Sequence, residues 1–394
     1  MSSTVDRGKL RTRYRTVVIG AGQAGLSAGY HLLRRGMRPW VDFVMLDAND
    51  GPGGAWRDRW DSLTFGKAHH LHPLPDFELA TPDPTEPASA VVSRYYGEYE
   101  QHMGLPVYRS GPVVSVNRKG TGSAAGFEVE LADGTGLQAT TVINATGTWS
   151  NPFWPSYRGM STFTGLQVHT RNFTGVQQFA NRRTLVVGGG ASATQFIVQL
   201  DAAGIDTLWS TRTPPRWKDF ASTRDWGLEV ERRVTEDTRA GRPPRPVVAN
   251  TGLPLTGQMR AAIASGLMIS RGPISRLEAD AVVFSDGSRE RIDAILWATG
   301  FRHALKHLAP LKLRTAQGGI RMSADAVSAA DQPGLYLVGY GASASTIGAT
   351  RAGRRAAIAA IKHLKQHASG MAGTEATGYT TVHPEEKSPQ SLRV

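Results

Sequence analysis

Two glycine-rich turns constrain this chain more than any other feature, because each follows a short β-branched run and opens an apolar-periodic segment. The first, Gly20-Ala-Gly22-Gln23-Ala-Gly25, comes after TVVIG (16–20) and leads into AGLSAGYHLLRRG (24–36), a predicted helix stopped at Gly36. With VDFVMLD (41–47) as the next strand, the sequence spells one βαβ unit with a GxGxxG turn, the pattern of a dinucleotide site. The first glycine permits the tight turn, the second lets a pyrophosphate approach the backbone, and the third lets helix and strand touch. Free N–H groups and the dipole at the helix start then favour phosphate. Asp47 ends the second strand, where a carboxylate accepts from ribose hydroxyls.

The second turn, Gly188-Gly-Gly190-Ala-Ser192-Ala193, is the GxGxxA variant and follows TLVVG (184–188). Its second strand, DTLWSTR (206–212), ends in Arg212-Thr213 rather than a carboxylate. A guanidinium grips a 2′-phosphate with paired charge-assisted bonds, so the expected nucleotide here is NADPH. Two dinucleotides on one chain is the logic of a flavin reduced by a nicotinamide, with FAD on the first turn. A chain of 394 residues has room for two cores.

The expected fold is α/β, with two Rossmann-like dinucleotide-binding domains and the NADPH domain inserted into the FAD domain. The boundaries read from the sequence are 1–160 and 290–370 for the FAD domain, 161–289 for the NADPH domain, and 371–394 as a flexible tail. The proline-rich connector NPFWPSYRG (151–159) marks the first crossing. Loops are expected over 50–90, a helix over 91–104 and short strands over 107–143. The Arg/Pro/Trp-rich stretch 213–257, with a helix at 227–240, reads as a lid or a solvated insertion. The run GLYLVGYG (334–341) precedes a small-residue helix reaching about residue 368.

Composition narrows the chemistry. There is no cysteine, which removes a disulfide framework, a thiolate metal site and a dithiol redox pair. The net charge of +12 comes from scattered arginines rather than a basic block, so no nucleic-acid partner is expected. No stretch is apolar for long enough to span a bilayer, and a cytoplasmic enzyme is the expectation. His69, His70 and His72 lie close together but without a known ligand spacing, so no metal is expected.

Further segments carry a family resemblance. Gly53-Gly54-Ala-Trp56, then Arg57 and Trp60, looks like a GG-x-W-x-x-x-W flavin segment. Asn144-Ala145-Thr146-Gly147 and Ala298-Thr299-Gly300-Phe301 are a pair of ATG linkers, and Phe163, Gly165, His169 and Phe173 fit FxGxxxHxxxF. In these the chain resembles the class B flavoprotein monooxygenases over about 17–365. The resemblance implies FAD reduced by NADPH, a flavin hydroperoxide, and one oxygen atom passed from O₂ to a small-molecule substrate, a soft nucleophile or a ketone. It also implies that Gly339 and Thr346 close the flavin site, and that His169 is structural rather than a proton carrier. The family's loop asparagine is missing from Ser62–His70, where Lys67, His69 and His70 are the candidates for the flavin rim. Two other readings stay open: a flavoprotein reductase or oxidase passing electrons to a quinone, a protein or O₂, and an idle nucleotide sensor. A homodimer is also left open.

Overall fold

The computed structural model describes residues 10–68, 71–121, 125–219, 224–244, 252–341 and 346–376, with the backbone alone for 224–231, 346–347 and 370–376. His69 and His70 lie outside the described residues, as does Phe220 of the 213–257 stretch.

The first half of the chain runs β1 (Arg13–Ile19), α1 (Gln23–Leu33), β2 (Phe43–Leu46), α2 (Ala88–Met103), β3 (Val107–Tyr108), β4 (Val113–Lys119), β5 (Gly126–Leu131) and β6 (Gly136–Asn144). Then come β7 (Leu166–His169), β8 (Thr184–Val187), α3 (Ala191–Ala202), β9 (Thr207–Ser210), β10 (Trp217–Lys218), α4 (Arg224–Arg239), β11 (Leu253–Pro254) and α5 (Gly257–Ala264). The chain continues through β12 (Ile274–Leu277), β13 (Ala281–Phe284), β14 (Arg289–Arg291), β15 (Ala294–Trp297), β16 (Leu335–Leu337) and α6 (Thr346–Ala376).

One sheet has the order β3-β2-β1-β6-β5-β4, with β16 also pairing β6. Its β1, β2, β6 and β16 neighbours are parallel, and β4-β5-β6 is an antiparallel meander. A second sheet, β7-β15-β8-β9, is parallel throughout, and β12-β13-β14 forms a small antiparallel sheet. Strands β2, β8 and β15 are buried at every position, as expected of near-continuous apolar runs covered on both faces. The first sheet thus takes its strands from both ends of the chain, and the second from its middle.

Small residues set the spacing of the layers. A Cβ on Gly29 of α1 would meet the sulfur of Met45 at 2.5 Å, and one on Gly353 of α6 would meet the Ala24 carbonyl oxygen at 2.6 Å. Only glycine lets α1 lie this close to β2 on one side and α6 on the other. The core there contains Leu26, Tyr30, Met45, Tyr96 and Ala356, all buried.

Several boundaries differ from those read in sequence. Strand β1 begins at Arg13, inside the basic leader, because Tyr14 and Thr16 point inward between exposed Arg13 and Arg15. Helix α1 ends at Leu33 and the chain turns over to Gly36 (φ +86°). Helix α6 continues to Ala376, so residues 371–376 are helical where a flexible tail was expected, while 377–394 lie outside the described residues. Beyond Met371 the run is alanine, glycine and polar residues, which leave no apolar stripe to announce a helix.

Candidate active site

The two fingerprints are built alike. At the first, Gly20 has φ +99° and its missing Cβ would stand 2.6 Å from the Ala145 carbonyl oxygen. At the second, Gly188 has φ +149° and its Cβ would stand 2.2 Å from the Ala298 carbonyl oxygen. In each case the turn's first glycine lies against the alanine of an Ala-Thr-Gly linker. The cause is register: β1 pairs β6 with Ile19 opposite Asn144, and β8 pairs β15 with Val187 opposite Trp297. The helices that follow are N-capped by Gly22 and Gly190, neither with a side-chain cap bond, which leaves the first N–H groups of α1 and α3 to be satisfied by a ligand.

Around the first turn the chain offers a cradle that fits an extended dinucleotide such as FAD. A Cβ on Gly25 would meet the Gly20 carbonyl oxygen at 1.9 Å, so helix and turn close completely. Gly54 lies against Gly22, its Cβ position 2.9 Å from the Gly22 Cα, which brings the GGAW segment to the fingerprint. Gly147 and Gly339 adjoin as well, at 3.9 Å, both with positive φ. Asp47 is buried; its carboxylate accepts from Ala21 N–H at 2.6 Å and Asn49 N–H at 2.8 Å, and Arg109 stands 3.4 Å away. Carboxylate oxygens carry further lone pairs, so a ribose hydroxyl still finds an acceptor. Gln23 turns its amide to the His72 carbonyl and Thr350, both at 3.1 Å, tying the loop after residue 70 to α6.

Linker contacts fix the hinge. Thr146 Oγ1 donates to the Ala304 carbonyl at 2.8 Å, and Thr299 Oγ1 to the Phe153 carbonyl, so each linker's threonine holds the other linker's continuation. Trp149 stacks on Phe301 at 4.7 Å between centroids. His169 is fully buried: its Nδ1 accepts from Arg171 N–H at 3.1 Å, which leaves Nε2–H to donate to the Gly300 carbonyl at 3.1 Å. Burial holds its pKa below the usual imidazole value. With both nitrogens bonded to backbone, this histidine is a fixed strut. A Cβ on Gly165 would meet the Phe163 ring at 2.4 Å, so this glycine is what lets Phe163 fold inward.

Phe173 lies in the second sheet's core, and Trp60, from the segment after the GGAW turn, reaches in to meet it. Phe173 packs edge-on against Trp60 at 5.3 Å and against Phe196 of α3 at 4.7 Å. Beside Trp60, the Arg59 guanidinium sits 3.9 Å over Trp149, with Trp56 and Trp60 at 5.8 and 5.9 Å. Its Nε is buried without a hydrogen-bond partner, and desolvation pushes its pKa down to about 10. Sequence reading passed over Arg59; the signal was the W-R-D-R-W spacing, which places a cation between two indoles.

At the second turn, Thr211 is buried and bonded to Ser270 Oγ at 2.7 Å, while Arg212, Thr213 and Ser192 are exposed. A cavity of about 210 Å³ lies there, lined by Arg212, Thr213, Ser270 and Pro273 among others. A larger one, of about 510 Å³, lies beyond the linkers, between Asn151, His303 and the 305–320 segment. His303 is pushed down to about 4 by burial, with Arg314 adding to the shift. Lys67 is exposed, and the side chain of Thr346 is not described. Among the described residues no cluster of three or more His, Asp or Glu could hold a metal, and no helix is long and apolar enough to cross a membrane.

The 213–257 stretch reaches the same neighbourhood. The Thr238 carbonyl at the end of α4 accepts from Met322 N–H at 3.1 Å, and a Cβ on Gly341 would meet Thr238 Cγ2 at 2.9 Å. Gly241 O accepts from Thr315 Oγ1 at 2.7 Å and Gly319 N–H at 3.1 Å.

Comparison with known proteins agrees with this geometry. Residues 17–230 match the family described as pyridine nucleotide-disulphide oxidoreductase. A flavin-containing monooxygenase from Stenotrophomonas maltophilia, in a mutant form, superposes with a TM-score of 0.72 at 32% identity, covering 91% of this chain and 99% of that one. An uncharacterized oxidoreductase CzcO of Bacillus velezensis is 26% identical over 83% of this chain and 91% of its own length. The indole-3-pyruvate monooxygenase YUCCA1 of rice is 26% identical over 82% of this chain and 86% of its own length. The chain belongs to the pyridine nucleotide-disulphide oxidoreductase family, within it to the class B flavoprotein monooxygenases. It is a flavin-dependent monooxygenase that uses FAD and NADPH. The dithiol in the broader family's name has no counterpart in a chain without cysteine.

Proposed function

We propose that this enzyme transfers one oxygen atom from O₂ to a soft nucleophilic sulfur or nitrogen, or to a ketone, with FAD on the first fingerprint and NADPH on the second. The observation that carries the reading is the duplicated contact of Gly20 with Ala145 and Gly188 with Ala298, which turns both nucleotide sites toward one hinge. FAD supplies the redox chemistry, accepting hydride from NADPH and activating O₂.

The chain's own residues bind, orient and exclude water. The N–H groups at the start of α1 hold the FAD pyrophosphate, Asp47 takes the ribose, and Gly54, Trp56, Gly147 and Gly339 border the path toward the ring. Arg212 and Thr213 hold the 2′-phosphate in the smaller cavity. Trp60, packed on Phe173 and Phe196, keeps the hinge dry, since water at the flavin diverts reduced oxygen to hydrogen peroxide. The α4 end beside Gly341 acts as the lid. In this arrangement the NADPH domain, 161–289, is inserted in an FAD domain of 1–160 and 290–370, which the strand composition of the two sheets supports.

The test is turnover under labelled O₂ with a panel of thioethers, amines and ketones, beside a peroxide assay. Label in product with little peroxide supports the reading. Reduction of quinones or dyes with no label in any product would sink it in favour of a reductase.

A further inference from the structure

The cavity of about 510 Å³ is within the roughly 300–1,000 Å³ of small-molecule sites. Its lining has two characters. Leu305, Leu308 and Ile320 are apolar, whereas every charged residue on it, Lys306, Lys312 and Arg314, is basic. Three like charges around one concavity repel one another, and an anion placed among them relieves that repulsion. Leu308 and Ile320 are buried in the meander's core, and half-buried Leu305 and Leu313, packed against it, are the apolar surface left to a ligand.

Location ties the cavity to the hinge. Asn151, from the first linker, donates from Nδ2 to the His303 carbonyl of the second at 3.1 Å. The His303 ring lies 4.7 Å from that of Tyr340, next to Gly339. On the opposite wall, Gly319 beside Ile320 is bonded to Gly241 of the lid at 3.1 Å. The cavity therefore sits among the linkers, the C-terminal glycines and the lid, and its lining shares no residue with either glycine fingerprint.

We propose that this cavity selects the substrate: an organic acid whose carboxylate is gripped by Lys306, Lys312 and Arg314 and whose apolar body lies on Leu305 and Leu313. Binding of the acid stands on the cavity alone, while its oxygenation rests on the function proposed above.

The test uses the holoenzyme and two probes of the same shape, para-methylthiobenzoate and para-methylthiobenzamide. Calorimetry reads binding, and labelled O₂ reads oxygen transfer to the thioether. The benzoate is expected to bind at least about tenfold tighter, a preference that shrinks as salt is raised. A Lys306→Glu/Lys312→Glu double variant is expected to abolish the preference and leave the Michaelis constant for NADPH unchanged, whereas Lys362→Glu, at an exposed position of α6, preserves it. Equal affinity of both probes for the wild type would overturn the proposal, as would a preference that survives in the double variant. So would a loss matched by an equal rise in the Michaelis constant for NADPH, which would assign the cations to nucleotide phosphate. Preferential benzoate binding without label in the sulfoxide would uphold the acid site and sink the oxygen-transfer reading.

Discussion

The proposed placement of NADPH makes Arg212 the residue on which nicotinamide choice turns. It is exposed at the end of β9, with the smaller cavity beside it. Arg212→Ala should raise the Michaelis constant for NADPH at least tenfold, since a charge-assisted contact contributes about 1.5–3 kcal/mol, and leave NADH nearly unchanged. Steady-state rates with both nucleotides check it; equal losses would mean a damaged fold rather than a lost phosphate contact. The position of Arg212, just past β9 and beside the smaller cavity, follows from counting along a βαβ unit. Arg59 and the cations at 306–314 were passed over, because the partners that give them meaning include Trp149 for Arg59 and Asn151 for the cavity, both distant in sequence. Asp47 was legible as an acid at a strand end, but not the two backbone N–H groups it also holds.

Among the elements, the crossing of α1 and α6 depends on Gly353. Gly→Ala inside a helix ordinarily stabilises by roughly 0.4–1 kcal/mol. Here the new Cβ would stand 2.6 Å from the Ala24 carbonyl oxygen and 2.9 Å from Ala28 N, so the sign should reverse. Gly353→Ala is expected to destabilise by about 1–3 kcal/mol in urea unfolding and to release FAD on gel filtration. A gain in stability would show that the helices can part without cost. Strands β1, β2, β8 and β15 were visible as short β-branched runs, and their register against the linkers follows from the repeated pattern. The docking of α4 against 315–322 was not visible. It joins segments about eighty residues apart, chiefly through backbone groups, which carry no sequence signature, with the Thr315 hydroxyl adding one bond.

The whole molecule should respond to acid through its buried imidazoles. His307 donates to Asn144 Oδ1 at 2.7 Å, and burial pushes its pKa down to about 4, as at His303. A solvated imidazole titrates near 6.5. Between those values the unfolded chain binds protons that the folded chain does not, so stability is full above about pH 6.5 and falls as pH drops toward 4. His307→Gln keeps a donor for Asn144 and removes one such proton. Its stability should decline less steeply between about pH 6 and 4.5, by about 1.4 kcal/mol per unit. Denaturation series on both proteins decide it, and an unchanged slope would place a charged imidazole in the fold.

With the nucleotides placed as proposed, the contacts of Gly20 with Ala145 and Gly188 with Ala298 would make each nucleotide a splint across a joint. Whatever occupies a fingerprint stiffens the linker pressed against it, and both linkers belong to the same joint. Ordering entropy surrendered to the first ligand is not surrendered again to the second, so the two sites should bind cooperatively. Reciprocity then fixes the numbers: the factor by which FAD tightens NADP⁺ must equal the factor by which NADP⁺ tightens FAD. Titrating NADP⁺ into stripped and FAD-loaded protein, then FAD with and without NADP⁺, measures both sides of that equality. Identical NADP⁺ affinity in stripped and loaded protein would mean that the joint is stiff before anything binds.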